Sequence, residues 1–251
     1  MQDNRILLND SEKNRYNRQM IMFDWGEEGQ IKLKKATVFI AGAGGLGSSV
    51  AIYLASAGVG CIRICDSGKV ELSNLNRQIL YTDDDIGKKK VLSAAQTLSK
   101  VNPNIKIVHL FEKIEKRNIS ELAGNAQIII DCLDNFQTRY IVNEYAVNAG
   151  RPFIHTGVYG MAGQITFIFS PETPCLECVF PDAPPPEILP VVGTTAGIMG
   201  CLEAQETLKY LTGRGTLLKN RLIVLDGDNL TFEELHLEKS PSCKICSSKF
   251  N

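Results

Sequence analysis

A short apolar run, Thr37-Val38-Phe39-Ile40-Ala41, leads straight into Gly42-Ala43-Gly44-Gly45-Leu46-Gly47. No polar residue alternates within the run, so both of its faces must be covered, as in a parallel strand flanked by helices. The glycines then open a helix, Ser48 to Ala57, which Gly58-Val59-Gly60 stops. Cys61-Ile62-Arg63-Ile64-Cys65 is a second strand with Asp66 at its end. Strand, glycine turn, helix and strand make a βαβ unit, and a parallel sheet with crossover helices is the fold that houses one. Gly42 allows the tight turn, Gly44 lets a phosphate approach the backbone, and Gly47 lets the helix pack closely. The start of that helix offers free N–H groups to an anion. Asp66 stands where a carboxylate accepts both hydroxyls of a ribose. A glycine turn alone is weak evidence, and the strand, helix and acidic residue around it are what give it meaning.

The alternation continues downstream. Helices are expected over Lys88–Val101 and Phe136–Ala149, and strands over Lys106–Leu110, Gln127–Asp131 and Phe153–Thr156. Upstream, Ser11 is a candidate cap for a helix carrying Tyr16, Arg18, Met20 and Ile21, which Gly26 interrupts. Beyond Thr156 the pattern changes. Ile165–Phe169, Arg221–Asp226 and Phe232–Leu237 read as strands separated by turns, with one long helix, Thr194–Leu211, among them. The expected fold class is α/β: a Rossmann-like, doubly wound, mostly parallel sheet extended by antiparallel C-terminal strands. The stretch Pro181 to Pro190, with five prolines, reads as a crossing loop. A formal net charge of −1 gives no electrostatic reason to expect nucleic acid or an anionic membrane as partner. Met1 to Met20 lacks the apolar core of a signal peptide and no run approaches a membrane span, so the expected location is the cytoplasm.

The segments downstream of the βαβ unit are wrong for hydride transfer. Ser73-Asn74-Leu75-Asn76-Arg77-Gln78, then Lys90, then Asp134-Asn135 supply two cations and a metal-capable carboxylate around a nucleotide. Attack on the α-phosphate of ATP needs such charges, because two anions must meet. Singly, each residue has a plainer role. Arg77 lies in a polar loop, Lys90 belongs to a solvated lysine run, and Asp134 is placed to cap the next helix. An NAD-dependent oxidoreductase shares the glycine turn and Asp66. It leaves the charged set unexplained, and His109, His155 and His236 show it no proton-transfer partner.

Cys175-Leu176-Glu177-Cys178 and Cys243-Lys244-Ile245-Cys246 are two C-x-x-C knuckles. In a reducing compartment two such pairs suit one tetrahedral, structural Zn²⁺, provided the fold brings them together. Pro174 and Pro241-Ser242 place both knuckles in loops, away from the helix start that a redox dithiol occupies. Cys61, Cys65, Cys132 and Cys201 read as core thiols, with Cys201 buried.

Taken in order, Arg18 within Arg15-Tyr16-Asn17-Arg18-Gln19, the glycine turn, Ser73 to Gln78, Lys90 and Cys132-Leu133-Asp134-Asn135 resemble the ubiquitin-activating-enzyme-like adenylyltransferases, nearest the MoeB, ThiF and HesA group. The resemblance runs from about Arg15 to Cys246. It implies ATP-dependent adenylation of the C-terminal glycine carboxylate of a small ubiquitin-fold sulfur carrier ending in Gly-Gly, with release of pyrophosphate. It implies that Gly45, Asp66, Asn74, Arg77 and Lys90 bind ATP, that Asp134 holds Mg²⁺, and that Arg18 reaches the neighbouring subunit's site in a homodimer. One domain, residues 1–251, would then comprise N-terminal helices (11–35), a nucleotide-binding α/β part (36–157) and a carrier-binding and zinc part (158–251). The family often has a second acidic residue two positions after Asp66, and here that position is Gly68. Relatives that form a thioester carry a cysteine in the crossing loop. The loop of this chain has none, so the adenylate is expected to pass to a separate sulfur donor or amine acceptor. A member that binds a partner without chemistry is the remaining alternative, and intact Arg77, Lys90 and Asp134 argue against it.

Overall fold

Asn9, not Ser11, caps the first helix. The Asn9 side chain accepts from the Glu12 amide while the Glu12 carboxylate accepts from the Asn9 amide, which leaves Ser11 inside α1 (Asp10–Arg15). The computed structural model describes residues 7–182 and 190–247. The helix expected through Ile21 is divided into α1 and α2 (Asn17–Met20), and Gly26 begins α3 (Gly26–Lys35) rather than ending anything. Tyr16 makes the break, with its buried hydroxyl accepting from Asn102 at 2.8 Å.

The βαβ unit forms as its residues dictate: β1 (Thr37–Ala41), α4 (Gly45–Ala57) and β2 (Cys61–Cys65). α4 starts earlier than Ser48, because the Ser48 amide already donates to the Gly44 carbonyl. Next come α5 (Lys90–Val101), β3 (Lys106–Leu110), α6 (Ile119–Ala123), β4 (Ile128–Asp131) and α7 (Phe136–Ala149). α6 is too short for its periodicity to show in the sequence. The last part holds β5 (Phe153–Tyr159), β6 (Ala162–Ile168), α8 (Leu176–Val179), α9 (Gly193–Thr212), β7 (Arg221–Asp226) and β8 (Thr231–His236). β5 and β6 extend beyond their expected ends because they form a hairpin that turns at Gly160, where φ is +57°. The proline-rich stretch lies largely outside the described residues.

All eight strands form one sheet in the order β3-β2-β1-β4-β5-β6-β7-β8. The pairs from β3 to β5 are parallel, and those from β5 to β8 antiparallel. This is the expected doubly wound sheet with an antiparallel extension. Successive side chains of β1 part to opposite faces. Val38 and Ile40 join Leu54, Val91 and Met199 under α4, α5 and α9. Phe39 and Ala41 join Leu122, Val142 and Leu176 under α6, α7 and α8. Each large side chain so covered contributes about 1.5–3 kcal/mol. The strand order reverses between β1 and β4, which opens a crevice beyond their C-terminal ends. No helix among the described residues is long and apolar enough to cross a membrane.

Candidate active site

A cleft of about 630 Å³ occupies that crevice, floored by the glycine turn. Gly42 has φ +103°, and a Cβ there would lie 2.4 Å from the Cys132 carbonyl oxygen. A Cβ on Gly47 would lie 2.2 Å from the Gly42 carbonyl oxygen. Both glycines are therefore demanded by the packing of the turn itself. Gly44 differs: a Cβ there would meet nothing closer than Gln78 Nε2, at 4.0 Å. The space over Gly44 opens to the cleft at the start of α4, where backbone N–H groups favour an anion. Gly45 also lines the cleft.

Asp66 lines the same cleft from the end of β2. One carboxylate oxygen accepts from the Ala43 amide (2.9 Å) and the other from the Gly68 amide (2.6 Å). Each oxygen keeps a further lone pair for a ligand hydroxyl. A side chain at position 68 would stand between Asp66 and the Lys90 stem, since a Cβ there would lie 3.0 Å from Asp66 Oδ1 and 3.5 Å from Lys90 Cε.

Only one lysine of the run Lys88-Lys89-Lys90 faces the cleft. Lys88 pairs with Asp85 (3.3 Å) and Lys89 lies 4.1 Å from the centre of the Phe111 ring, whereas Lys90 begins α5 and lines the cleft. In the loop from Ser73 to Gln78, Arg77 and Gln78 line it as well. Arg77 is steadied by two hydrogen bonds of 2.9 Å, to the Ser73 carbonyl and the Asn76 side chain. Asn74 is buried and accepts from the Glu71 amide (3.2 Å). Ser73, Asn74 and Asn76 thus shape the loop, and none of them lines the cleft. The Gln78 side-chain oxygen Oε1 is buried beside the cleft without a partner among the described residues, an acceptor that suits a ligand donor.

Asp134 lines the cleft just past β4, exposed, with its carboxylate held by Asn135 Nδ2 at 3.2 Å. The cap of α7 is Asn135, whose side chain accepts from the Thr138 amide (2.9 Å), so Asp134 is spared that duty. Arg139, which sequence reasoning missed, braces the segment from below. It donates to the carbonyls of Leu133 (2.6 Å) and Thr156 (3.0 Å) and lies 3.1 Å from Asp131 Oδ2. His155, which the sequence left without a partner, has a buried one: its Nδ1 lies 2.7 Å from Asp131 Oδ2. Burial first, and the nearby Arg139 charge, pull this imidazole below its usual range against the opposing effect of Asp131, so it is neutral. Both groups sit behind the cleft and do not line it.

Arg18 is nowhere near these residues. It is exposed on α2, next to Gln19, whose side chain donates to the Ala57 carbonyl at the far end of α4.

The four knuckle cysteines converge, with all four sulfur atoms within 4.8 Å of one another. Neighbouring sulfurs stand 3.4 to 3.9 Å apart, close to the roughly 3.8 Å edge of a tetrahedron with 2.3 Å metal–sulfur bonds. Contrary to the loop placement expected, Cys175 caps the one-turn helix α8 and Cys178 lies within it. A helix start would suit a redox pair, but the second pair of thiols makes a cluster of four that could hold a metal ion. Cys65 is buried, and burial pushes its thiol up to about 12. Cys132 is buried with its thiol raised likewise. Cys201, expected buried, is half-buried.

This arrangement has counterparts among known proteins. The SAMP-activating enzyme E1 of Haloferax volcanii is 37% identical over 247 residues, covering 96% of this chain and 91% of that protein. The sulfur carrier protein adenylyltransferase of Thermus thermophilus is 37% identical over 249 residues, covering 95% of this chain and 92% of its own. Among solved structures, E. coli MccB with ATP superposes with a TM-score of 0.82 at 26% identity, over 95% of this chain and 75% of that one. The ThiF family profile matches residues 16–245, and the chain belongs to the ThiF family.

Proposed function

We propose that the chain is an adenylyltransferase that activates the C-terminal carboxylate of a small ubiquitin-fold sulfur carrier at the expense of ATP. The observation that carries this is the meeting of Arg77, Lys90 and Asp134, from two loops and the start of α5, around the space above Gly44. The carrier carboxylate attacks the α-phosphorus. A carboxylate oxygen–phosphorus bond forms, the bond to the β-phosphate oxygen breaks, and pyrophosphate leaves with the electron pair. Asp66 holds the ribose. Amides at the start of α4, with Arg77 and Lys90, offset the phosphate charge that otherwise repels the incoming carboxylate. Asp134 is the carboxylate that would hold Mg²⁺, which when bound screens the leaving pyrophosphate. The knuckle cysteines suit one structural Zn²⁺ in the carrier-binding part.

Arg18 cannot serve its own cleft, because α4, 13 residues long, separates the two ends by about 20 Å. In a homodimer it would reach the partner's phosphates. The crossing loop lacks a thiol, Cys65 and Cys132 are buried with raised pKa values, and the half-buried Cys201 thiol in α9 is raised by burial too, so the adenylate passes to a separate acceptor.

Carrier-dependent ATP–pyrophosphate exchange tests this, with a Gly-Gly-ended protein captured by pull-down. Lys90→Ala and Asp134→Ala should each slow exchange about a hundredfold or more while the fold survives. A non-reducing gel of the same mixture should show no thiol-labile conjugate. Near-normal exchange in both variants, or calorimetry showing tighter binding of NAD than of MgATP, would overturn the assignment.

A further inference from the structure

Beside the nucleotide cleft, and sharing Val158 with it, runs a groove of about 580 Å³. Its walls are Phe136, Tyr159 and Val224, and its bed includes Gly157 and Gly163 of the β5–β6 hairpin. An extended peptide reaching for the cleft would pass along it. Two polar side chains of the bed are Arg139 and Gln164. The hydrogen bonds and ion pair of Arg139 run inward, to the carbonyls of Leu133 and Thr156 and to Asp131. Gln164 lines the groove with one polar atom, Oε1, that no other described residue engages.

Its amide is not free to rotate. Gln164 Nε2 lies 3.4 Å from His155 Nε2. An amide nitrogen can only donate, so His155 Nε2 must accept, and the imidazole proton must sit on Nδ1 facing Asp131 at 2.7 Å. The opposite amide orientation would set two lone pairs together unless the imidazole were charged, and its burial opposes that. The chain Asp131–His155–Gln164 therefore leaves the Gln164 carbonyl oxygen as the unused acceptor, with no hydrogen-bond partner among the described residues.

We propose that Gln164 reads the carrier's tail, its side-chain oxygen accepting a backbone N–H of the peptide in the groove. Asp131 and His155 are the positioning residues that hold the amide in that orientation. This rests on the adenylation proposed above. An acceptor fixed beforehand spares the ordering of a flexible glutamine at each binding event, and it favours an extended peptide over the bulk of a folded surface.

The test is steady-state exchange with wild type, Gln164→Ala, His155→Phe and the double variant, using a Gly-Gly-ended ubiquitin-fold carrier. Gln164→Ala removes one hydrogen bond from a half-buried position and should raise the KM for carrier about five- to tenfold. The KM for ATP and the limiting rate should hold within about twofold. His155→Phe frees the amide and should raise the carrier KM in the same way, and the double variant should be no worse than Gln164→Ala. Should His155→Phe fail to fold, Gln164→Ala decides alone. An unchanged carrier KM, or an equal rise in the KM for ATP, overturns the role of Gln164. A wild type with no carrier-dependent exchange instead overturns the adenylation beneath it.

Discussion

Glu203 is wholly buried in α9, with Cys132 Sγ 3.6 Å from one of its oxygens and the other oxygen unpaired among the described residues. Burial, and after it the charge of Asp131, holds its pKa well above the carboxylate range. The native state therefore keeps a proton that the unfolded chain sheds above about pH 4.3. Proton binding then favours the folded state least at high pH, so stability falls as pH rises from there toward the native pKa. Glu203→Gln removes the titration. Its melting temperature should decline less than that of wild type between about pH 5 and 8, and should be the higher of the two at the alkaline end. Parallel melting curves across that range would show that Glu203 is ionised. None of this was legible in the sequence, where Glu203 is one acidic residue in a helix. The same holds for His155 and Asp131, which become neighbours only through the register of β4 on β5.

The elements were legible in proportion to how far local rules decide them. β1 and β4 lie inside the sheet between two helical layers, so their apolar runs declared them. The glycine turn did so by its context. The loop from Ser73 to Gln78 did not reveal which of its members face a ligand, because that depends on hydrogen bonds within the folded loop: Arg77 and Gln78 reach the cleft while the asparagines build the bend. Likewise the plainer role read for Asp134, capping the next helix, belongs to Asn135 once the geometry of α7 is set. The length of α4 settles a further point. It holds Arg18 away from the glycine turn of its own chain, so in the proposed homodimer Arg18→Ala and Lys90→Ala damage different subunits' contributions to one composite site. Each variant alone should be nearly inactive. Equal mixing with subunit exchange should restore about a quarter of wild-type activity, since half the dimers are mixed and half of their sites intact. A mixture as inactive as its parents rules out action across the interface.

At the scale of the whole molecule, the four thiols join residues 175–178 to residues 243–246 and enclose α9, β7 and β8 between them. Freshly purified, reduced protein should contain one zinc per chain by elemental analysis. Removing it with a chelator, or changing Cys243→Ser, should lower the melting temperature by about 5 °C or more. Metal-free protein that melts normally would show the cage to be dispensable. The enclosed segment also forms part of the cleft wall through Val191 and Ala196. With the ion in place it is a closed ring rather than a tail. A protease that cuts the exposed turn from Asp228 to Leu230 would release nothing, because the severed end stays attached by the ladder of β8 on β7, by the packing of Ile245 and by the shared ion. Stripping the ion would weaken that attachment, so a chelator should lower the melting temperature of a nicked protein more than that of an intact one.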